Sequence, residues 1–191
     1  MKHWFTVVVW VGLAGLSVWV VLLTRQTVAL RAALEERDLA LAGLVAEGGL
    51  RPGDTVGPLS LYGASGEVIG LGFDGTGGAT LLFLVSDGCS ACDLTLPAWE
   101  MLAGGDVYGA RVVAVDAGAV GAASLRQYSA LYPTYGVTPG GAGWLREIPL
   151  TPSAIAIGAS GRVLGVWYGS RAASRADEMR GVLMDAMLDA G

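Results

Sequence analysis

Six residues, TLLFLV over Thr80–Val85, limit the architecture of this chain more than any other stretch, being uncharged and rich in strand formers. A short run of this kind reads as a central strand buried on both faces of a sheet. It ends four residues before Cys89, and Cys92 follows three residues later; the protein has no other cysteine. A helical pattern over 94–102 comes next and sets the pair at a junction between strand and helix. In a first helical turn residues i and i+3 share a face, so the two sulfurs can meet. The first sulfur also lies near unpaired backbone N–H groups and the positive end of the helix dipole, and both favour thiolate over thiol. Thiolate is the attacking species in disulfide exchange. The spacing makes Cys89 the candidate nucleophile and Cys92 the candidate resolving thiol.

Around this junction the chain reads as an α/β domain. Leu59-Ser60-Leu61-Tyr62 and Glu67-Val68-Ile69 flank Gly63-Ala64-Ser65-Gly66, which predicts a hairpin. Residues 111–115 (RVVAV) are a second predicted buried strand, 124–131 a predicted helix, and the Pro- and Gly-rich 133–143 a predicted loop. Two further strands, 153–157 and 163–167, bracket the turn Gly158-Ala159-Ser160-Gly161. Residues 172–188 form the last predicted helix, with Met179, Val182, Leu183, Ala186 and Met187 at helical spacing. A hairpin followed by β-α-β-α-β-β-α supplies helices for both faces of a sheet. Gly70-Leu71-Gly72-Phe73-Asp74-Gly75 matches G-x-G-x-x-G, but a dinucleotide site needs that loop to open a helix, and here a strand follows. It reads as a turn.

The N-terminal region has a different character. Residues 4–23 carry no charge, and at about 1.5 Å of rise per residue they span about 30 Å of helix, the thickness of a bilayer's hydrocarbon core. Trp4 and Trp19 lie near its ends, where such rings favour the interface. A cleaved signal peptide has a shorter apolar region and a small-x-small site, and Leu22-Leu23-Thr24-Arg25 offers none. A retained transmembrane anchor over 1–23 is therefore expected, followed by a juxtamembrane helical spacer over 24–50 and the globular domain over 51–191. Leu30, Leu34, Leu41 and Leu44 give the spacer a partial apolar stripe, interrupted by Arg37 and Asp38. Lys2 precedes the anchor and Arg25, Arg31 and Arg37 follow it, so the positive-inside rule leaves the orientation open. The formal charge of −5 and the lack of a basic stripe argue against nucleic acid as a partner. The single histidine, His3, precedes the anchor, which excludes a catalytic histidine in the globular part.

Several readings of the cysteine pair compete. Half a zinc site lacks the further ligands that the metal requires. A haem attachment motif would place histidine where Asp93 stands. A structural disulfide remains open, although so short a loop removes little unfolded-state entropy. The stretch TLLFLVSDGCSAC, Pro97 five residues after Cys92, Gly53-Asp54-Thr55-Val56-Gly57-Pro58 ahead of the domain, and Thr151-Pro152 before a predicted strand resemble the thioredoxin superfamily. The resemblance covers 51–188 and is strongest to the membrane-tethered TlpA/ResA-like branch; MauD-type proteins share the plan. It implies a thioredoxin-like fold, a central mixed sheet flanked by helices, with thiol–disulfide oxidoreductase activity at Cys89 and Cys92. It also implies a cis peptide at Thr151-Pro152 opposite the cysteines, with these two residues presenting backbone to an extended substrate segment. Cis bonds are largely confined to X-Pro, and such a proline cannot sit inside a ladder.

The chain departs from that pattern in places. Asp87 and Gly88 replace an aromatic before Cys89, Phe83 stands where some thioredoxins carry a buried carboxylate, and Thr95 stands where many relatives are acidic. Like charge from Asp87 and Asp93 raises a thiolate's pKa, and strong oxidants need an unusually stabilised thiolate, so exchange in the reductive direction is expected. The expected clients are cysteine pairs of exported proteins outside a bacterial cytoplasmic membrane, where disulfides persist. Electrons would come from a membrane or extracytoplasmic thiol carrier; no flavin, nicotinamide or metal cofactor is expected. Two alternatives remain. Ser86-Asp87-Gly88-Cys89 gives half of the peroxiredoxin pattern Pro-x-x-x-Thr/Ser-x-x-Cys, with Leu82 in the place of proline, which admits a peroxidase. A static disulfide would make the domain a tethered, non-catalytic binding module.

Overall fold

The computed structural model describes residues 15, 19–20, 22–27, 49–75, 77–105, 107–119, 121–122, 125–141, 143–169 and 174–189. The chain divides into two compact units, Met1–Gly48 and Gly49–Gly191. In the first, residues 22–27 are helical. Most of the expected anchor, and of the spacer helix beyond residue 27, lies outside the described residues. Among the described residues no helix is long and apolar enough to cross a membrane.

The second unit is built on a seven-stranded sheet of order β2-β1-β5-β4-β3-β6-β7. The strands are β1 (Leu59–Tyr62), β2 (Val68–Leu71), β3 (Thr80–Val85), β4 (Arg111–Asp116), β5 (Thr134–Val137), β6 (Ser153–Ile157) and β7 (Val163–Tyr168). The sheet is mixed: β3, β4 and β5 run parallel, whereas the β1–β2, β1–β5, β3–β6 and β6–β7 pairs are antiparallel. Among the described residues two helices pack on it, α1 (Ser90–Ala103) after β3 and α2 (Ala176–Asp189) after β7.

The run Thr80–Val85 is buried throughout and paired on both sides, as its composition predicts. Alternation along a strand sends successive side chains to opposite faces. Leu81, Phe83 and Val85 accordingly join one core with Trp99, Leu102, Met179 and Leu183, so α1 and α2 cover the same face. Leu82 and Leu84 join the other core, which is closed by Leu50, Val56, Leu145 and Ile148. Those covering residues come from the first segment of the unit and from the short 3₁₀ turn Trp144–Glu147 with its flank, and two long-range bonds pin them. Trp144 Nε1 donates to Gly57 O at 3.0 Å, and Tyr168 Oη donates to Leu50 O at 3.1 Å.

Two expectations fail. The helix predicted over 124–131 is absent: the described residues 125–131 form no helix. Local bonds divert the backbone instead. Thr134 Oγ1 accepts from Tyr128 N at 3.3 Å, Ser129 Oγ accepts from Leu131 N at 3.1 Å, and Gln127 Nε2 donates to Tyr132 O at 2.9 Å. The loop predicted over 133–143 contains β5, inserted between β1 and β4 with Leu61 opposite Val137 and Ala114 opposite Thr134. Gly136 is what lets it fit, because a Cβ there would lie 2.1 Å from the Tyr62 ring. The same Tyr62 hydroxyl donates to Ala119 O and accepts from Gly121 N, both at 2.9 Å.

Candidate active site

The turn that leaves β3 sets the site. At Gly88 the backbone turns with φ +71°, a conformation glycine adopts without the Cβ penalty, and Gly88 N donates to Asp87 Oδ1 at 3.0 Å. Cys89 then caps α1. Its backbone is extended (φ −81°, ψ 93°), its carbonyl accepts from Cys92 N at 3.0 Å and Asp93 N at 3.3 Å, and its Sγ accepts from Cys92 N at 3.1 Å. An N-cap side chain satisfies a backbone donor that the first turn leaves without an intrahelical partner. Here that side chain is the first cysteine of the pair.

Cys89 and Cys92 form a disulfide across a Cα–Cα distance of 5.2 Å. Their surroundings are unequal. Cys89 is partly buried, while Cys92 is completely enclosed and belongs to the core formed by Phe83, Trp99 and Leu102. Phe83 and Trp99 stack with ring centroids 4.2 Å apart and planes at 6°, which gives the helix an apolar seat beneath the second cysteine. Pro97 lies within α1, as the sequence reading places it. Thr95 is buried, and its hydroxyl is spent on Ala91 O at 2.7 Å.

The Thr151–Pro152 bond is cis. Leu84 pairs with Ser153, so the bond falls at the start of β6, beside the end of β3 from which the cysteine loop departs. A hydroxyl pair joins the two loops: Ser86 Oγ and Thr151 Oγ1 are 2.9 Å apart, and Ser86 O accepts from Cys89 N at 3.3 Å. The structure thus brings Cys89, Cys92, Thr151 and Pro152 to one end of the sheet. A hollow of about 710 Å³ lies at the opposite end, lined by Ala79, Tyr108, Arg162 and Met187 among others, and includes none of them.

Charges flank the pair. Asp93, directly after Cys92, is held by Arg126 at 3.1 Å, with both side chains half exposed. The Arg126 guanidinium carbon also lies 5.0 Å from the centre of the Tyr128 ring. Behind them Asp116 is fully buried at the end of β4, with Oδ1 accepting from Gly118 N at 2.9 Å and Ala119 N at 3.1 Å, and Oδ2 lying 3.5 Å from Tyr128 Oη. Burial first, and then the Asp116 carboxylate, pushes the Tyr128 phenol up to about 12, against the opposing charge of Arg126. The Arg126–Asp93 pair spans 33 residues of sequence, and no local pattern joins the two. Among the described residues no group of three His, Cys, Asp or Glu side chains is placed to hold a metal ion.

No protein-family model matches the chain, and no curated protein matches it. Solved structures do. A candidate thiol:disulfide interchange protein DsbE from Chlorobium tepidum is 26% identical, with 73% of this chain and 99% of that one covered at a TM-score of 0.55. A thiol:disulfide interchange protein from Bacteroides sp. is 15% identical over 69% of this chain and 91% of that one, with a TM-score of 0.52. The peroxidoxin BcpB of Mycobacterium tuberculosis is also 15% identical, covers 71% and 97%, and scores 0.54. The two 15% matches speak for the fold alone, which is thioredoxin-like. Thiol:disulfide interchange proteins thus stand among the structural neighbours, the class the sequence resemblance implies. That likeness and the Cys89–Cys92 pair support an oxidoreductase role.

Proposed function

We propose that this thioredoxin-fold chain is a membrane-tethered thiol–disulfide oxidoreductase that reduces disulfides of exported proteins, with Cys89 as nucleophile and Cys92 as resolving thiol. The observation that carries the reading is the position of Cys89 Sγ at the N-cap of α1, accepting the Cys92 N–H, with its partner sulfur sealed in the core. A helix N-terminus and a backbone donor both stabilise the charged sulfur relative to the neutral one.

In the forward direction the Cys89 thiolate attacks one sulfur of a client disulfide. That S–S bond breaks, a mixed disulfide forms, and the client's other sulfur leaves as thiolate. Cys92 then attacks Cys89 Sγ and yields its proton to the departing sulfur or to solvent. The client's second thiol is released, and Cys89–Cys92 closes. Two electrons have passed to the client, whose two thiols take one proton from Cys92 and one from solvent, and a dithiol carrier must reduce the pair again before the next turnover. Thr151 and Pro152, at the open end of β6, are the residues we assign to holding the client backbone. The nearby carboxylates of Asp87 and Asp93 work against an extreme stabilisation of the thiolate, which supports the reductive direction. The uncharged run 4–23 supports tethering, and dependence on protein disulfides supports a site outside a bacterial cytoplasmic membrane.

Trapping tests this reading. In a Cys92→Ser chain the mixed disulfide cannot resolve, so clients should be recovered covalently attached through Cys89 and released by reductant. A chain that traps no client and fails to reduce insulin would overturn it. The peroxidase alternative keeps one feature, the Ser86 hydroxyl three residues before Cys89 and bonded to Thr151. Consumption of hydrogen peroxide, measured beside insulin reduction, separates the two.

A further inference from the structure

The outer face of α1 carries a feature that the exchange chemistry does not use. Cys92, Thr95, Trp99 and Leu102 turn inward. On the opposite face, at steps of three and four residues, lie Leu94, Pro97 and Met101. Leu94 is 82% exposed and Met101 70%. Leu131, 58% exposed, extends the row past the end of the helix, where its Cδ1 lies 3.5 Å from the position of a Cβ on Gly104. Two carboxylates flank the row: Asp93, engaged by Arg126, and Glu100, directly before Met101.

Scattered exposed apolar side chains are ordinary, but an apolar row that starts five residues after the nucleophilic Cys89 is a candidate contact surface. Its area bears on the occupant. Four such side chains offer a few hundred Å² at most, against roughly 800 Å² per partner in a stable complex. A permanent second copy of the chain is therefore too large an occupant, and packing one there would also cover Ser90 and the approach to Cys89. A client held only while a disulfide is exchanged fits the size. At about 1.5 Å per helical residue, Met101 lies roughly 18 Å along the helix from Cys89, a distance that about five or six residues of extended polypeptide span.

We propose that the row Leu94–Pro97–Met101–Leu131 is a docking surface for apolar residues within about six positions of the cysteine that a client presents to Cys89. The inference rests on the exchange reading above and deepens it by naming the class of client sequence. Extended client chain lying along α1 would bury its apolar side chains on the row and so raise the encounter rate of the correct sulfur.

The test uses the reduced full-length chain and two kinds of probe. Short peptides carry a single cysteine as a mixed disulfide with thionitrobenzoate, flanked by Leu and Val in one and by Ser and Asn in the other; free dithiobis(nitrobenzoate) is the small probe. The apolar-flanked peptide should react roughly tenfold faster than the polar one, in line with partial burial of one or two aliphatic side chains. L94S/M101S/L131S should abolish that preference while leaving the rate with the small probe unchanged, and L94S alone should reduce it. A variant that keeps the preference, a wild type that shows none, or a stable dimer in sedimentation at assay concentration overturns the docking surface while the exchange reading stands. Absence of reaction with the small probe as well sinks the exchange reading itself.

Discussion

Replacing Ser86 by Ala and Thr151 by Val, singly and together, asks whether the cysteine loop and the proline loop act as one piece. Their hydroxyls are 2.9 Å apart and partly buried. A neutral hydrogen bond of this kind contributes about 0.5–1.5 kcal/mol net, and deleting one partner leaves the other needing water. Because water has partial access, each single substitution should cost about 1 kcal/mol, and the double should cost less than the sum by about 0.5–1 kcal/mol. The backbone bond from Cys89 N to Ser86 O survives both changes, so the cap itself stays in place. If the link also positions a polypeptide against Cys89, each single should lower the rate with a peptide disulfide about fivefold, the equivalent of about 1 kcal/mol, and leave the rate with a small disulfide unchanged. Urea unfolding of the full chain supplies the first cycle and stopped-flow exchange the second. Strictly additive costs, within about 0.3 kcal/mol, together with unchanged peptide rates would refute the coupling.

Three further outcomes rest on the geometry. Phe83→Ala removes a fully buried ring stacked on Trp99 and should cost about 3–5 kcal/mol, lowering Tm by about 10 °C or more, whereas Val68→Ala, at a position 69% exposed, should stay within about 0.5 kcal/mol; a Phe83 loss below about 1 kcal/mol contradicts the packing. The Tyr128 phenol, raised from 10.0 to about 12, binds its proton more tightly folded than unfolded. The stability it contributes is therefore complete below pH 10 and lost as pH rises through about 12, and the late tyrosinate absorbance step should shrink in Tyr128→Phe. Arg126→Ala breaks a half-exposed ion pair, so stability should fall by less than about 1 kcal/mol, while alkylation of reduced Cys89 at neutral pH slows about twofold. Adding Asp93→Asn should restore the rate, and high salt should erase the difference.

The parts of the fold legible from sequence are those whose signal is local. Thr80–Val85 advertises its burial in every residue, and the cap position of Cys89 comes from a strand ending just before a helical pattern. Thr151-Pro152 is readable through its resemblance to known relatives, and its cis bond is as expected. The errors cluster where the deciding partner lies outside the segment's own pattern. Nothing in SLRQYSAL shows that Thr134 will take the Tyr128 N–H, or that Asp93 will draw Arg126 to the flank of α1. The strand Thr134–Val137 is equally opaque, since a glycine after Pro133 and Tyr135 reads as loop until the Tyr62 ring is seen to occupy the space of its missing side chain. Such a strand exists because β1 and β4 leave a slot for it, and its own propensity says little.

The unequal exposure of the two sulfurs bears on how the pair ages. An oxidant arriving from solvent meets Cys89 and not the enclosed Cys92, so a sulfenic acid forms first on the outer sulfur. With the Cα atoms 5.2 Å apart, the inner thiol stands ready to condense with it, expelling water and closing the bridge. That intramolecular step competes with further oxidation to the irreversible sulfinic acid. A centre arranged in this way carries its own repair, and damage ends as a bond that ordinary reductants can reopen.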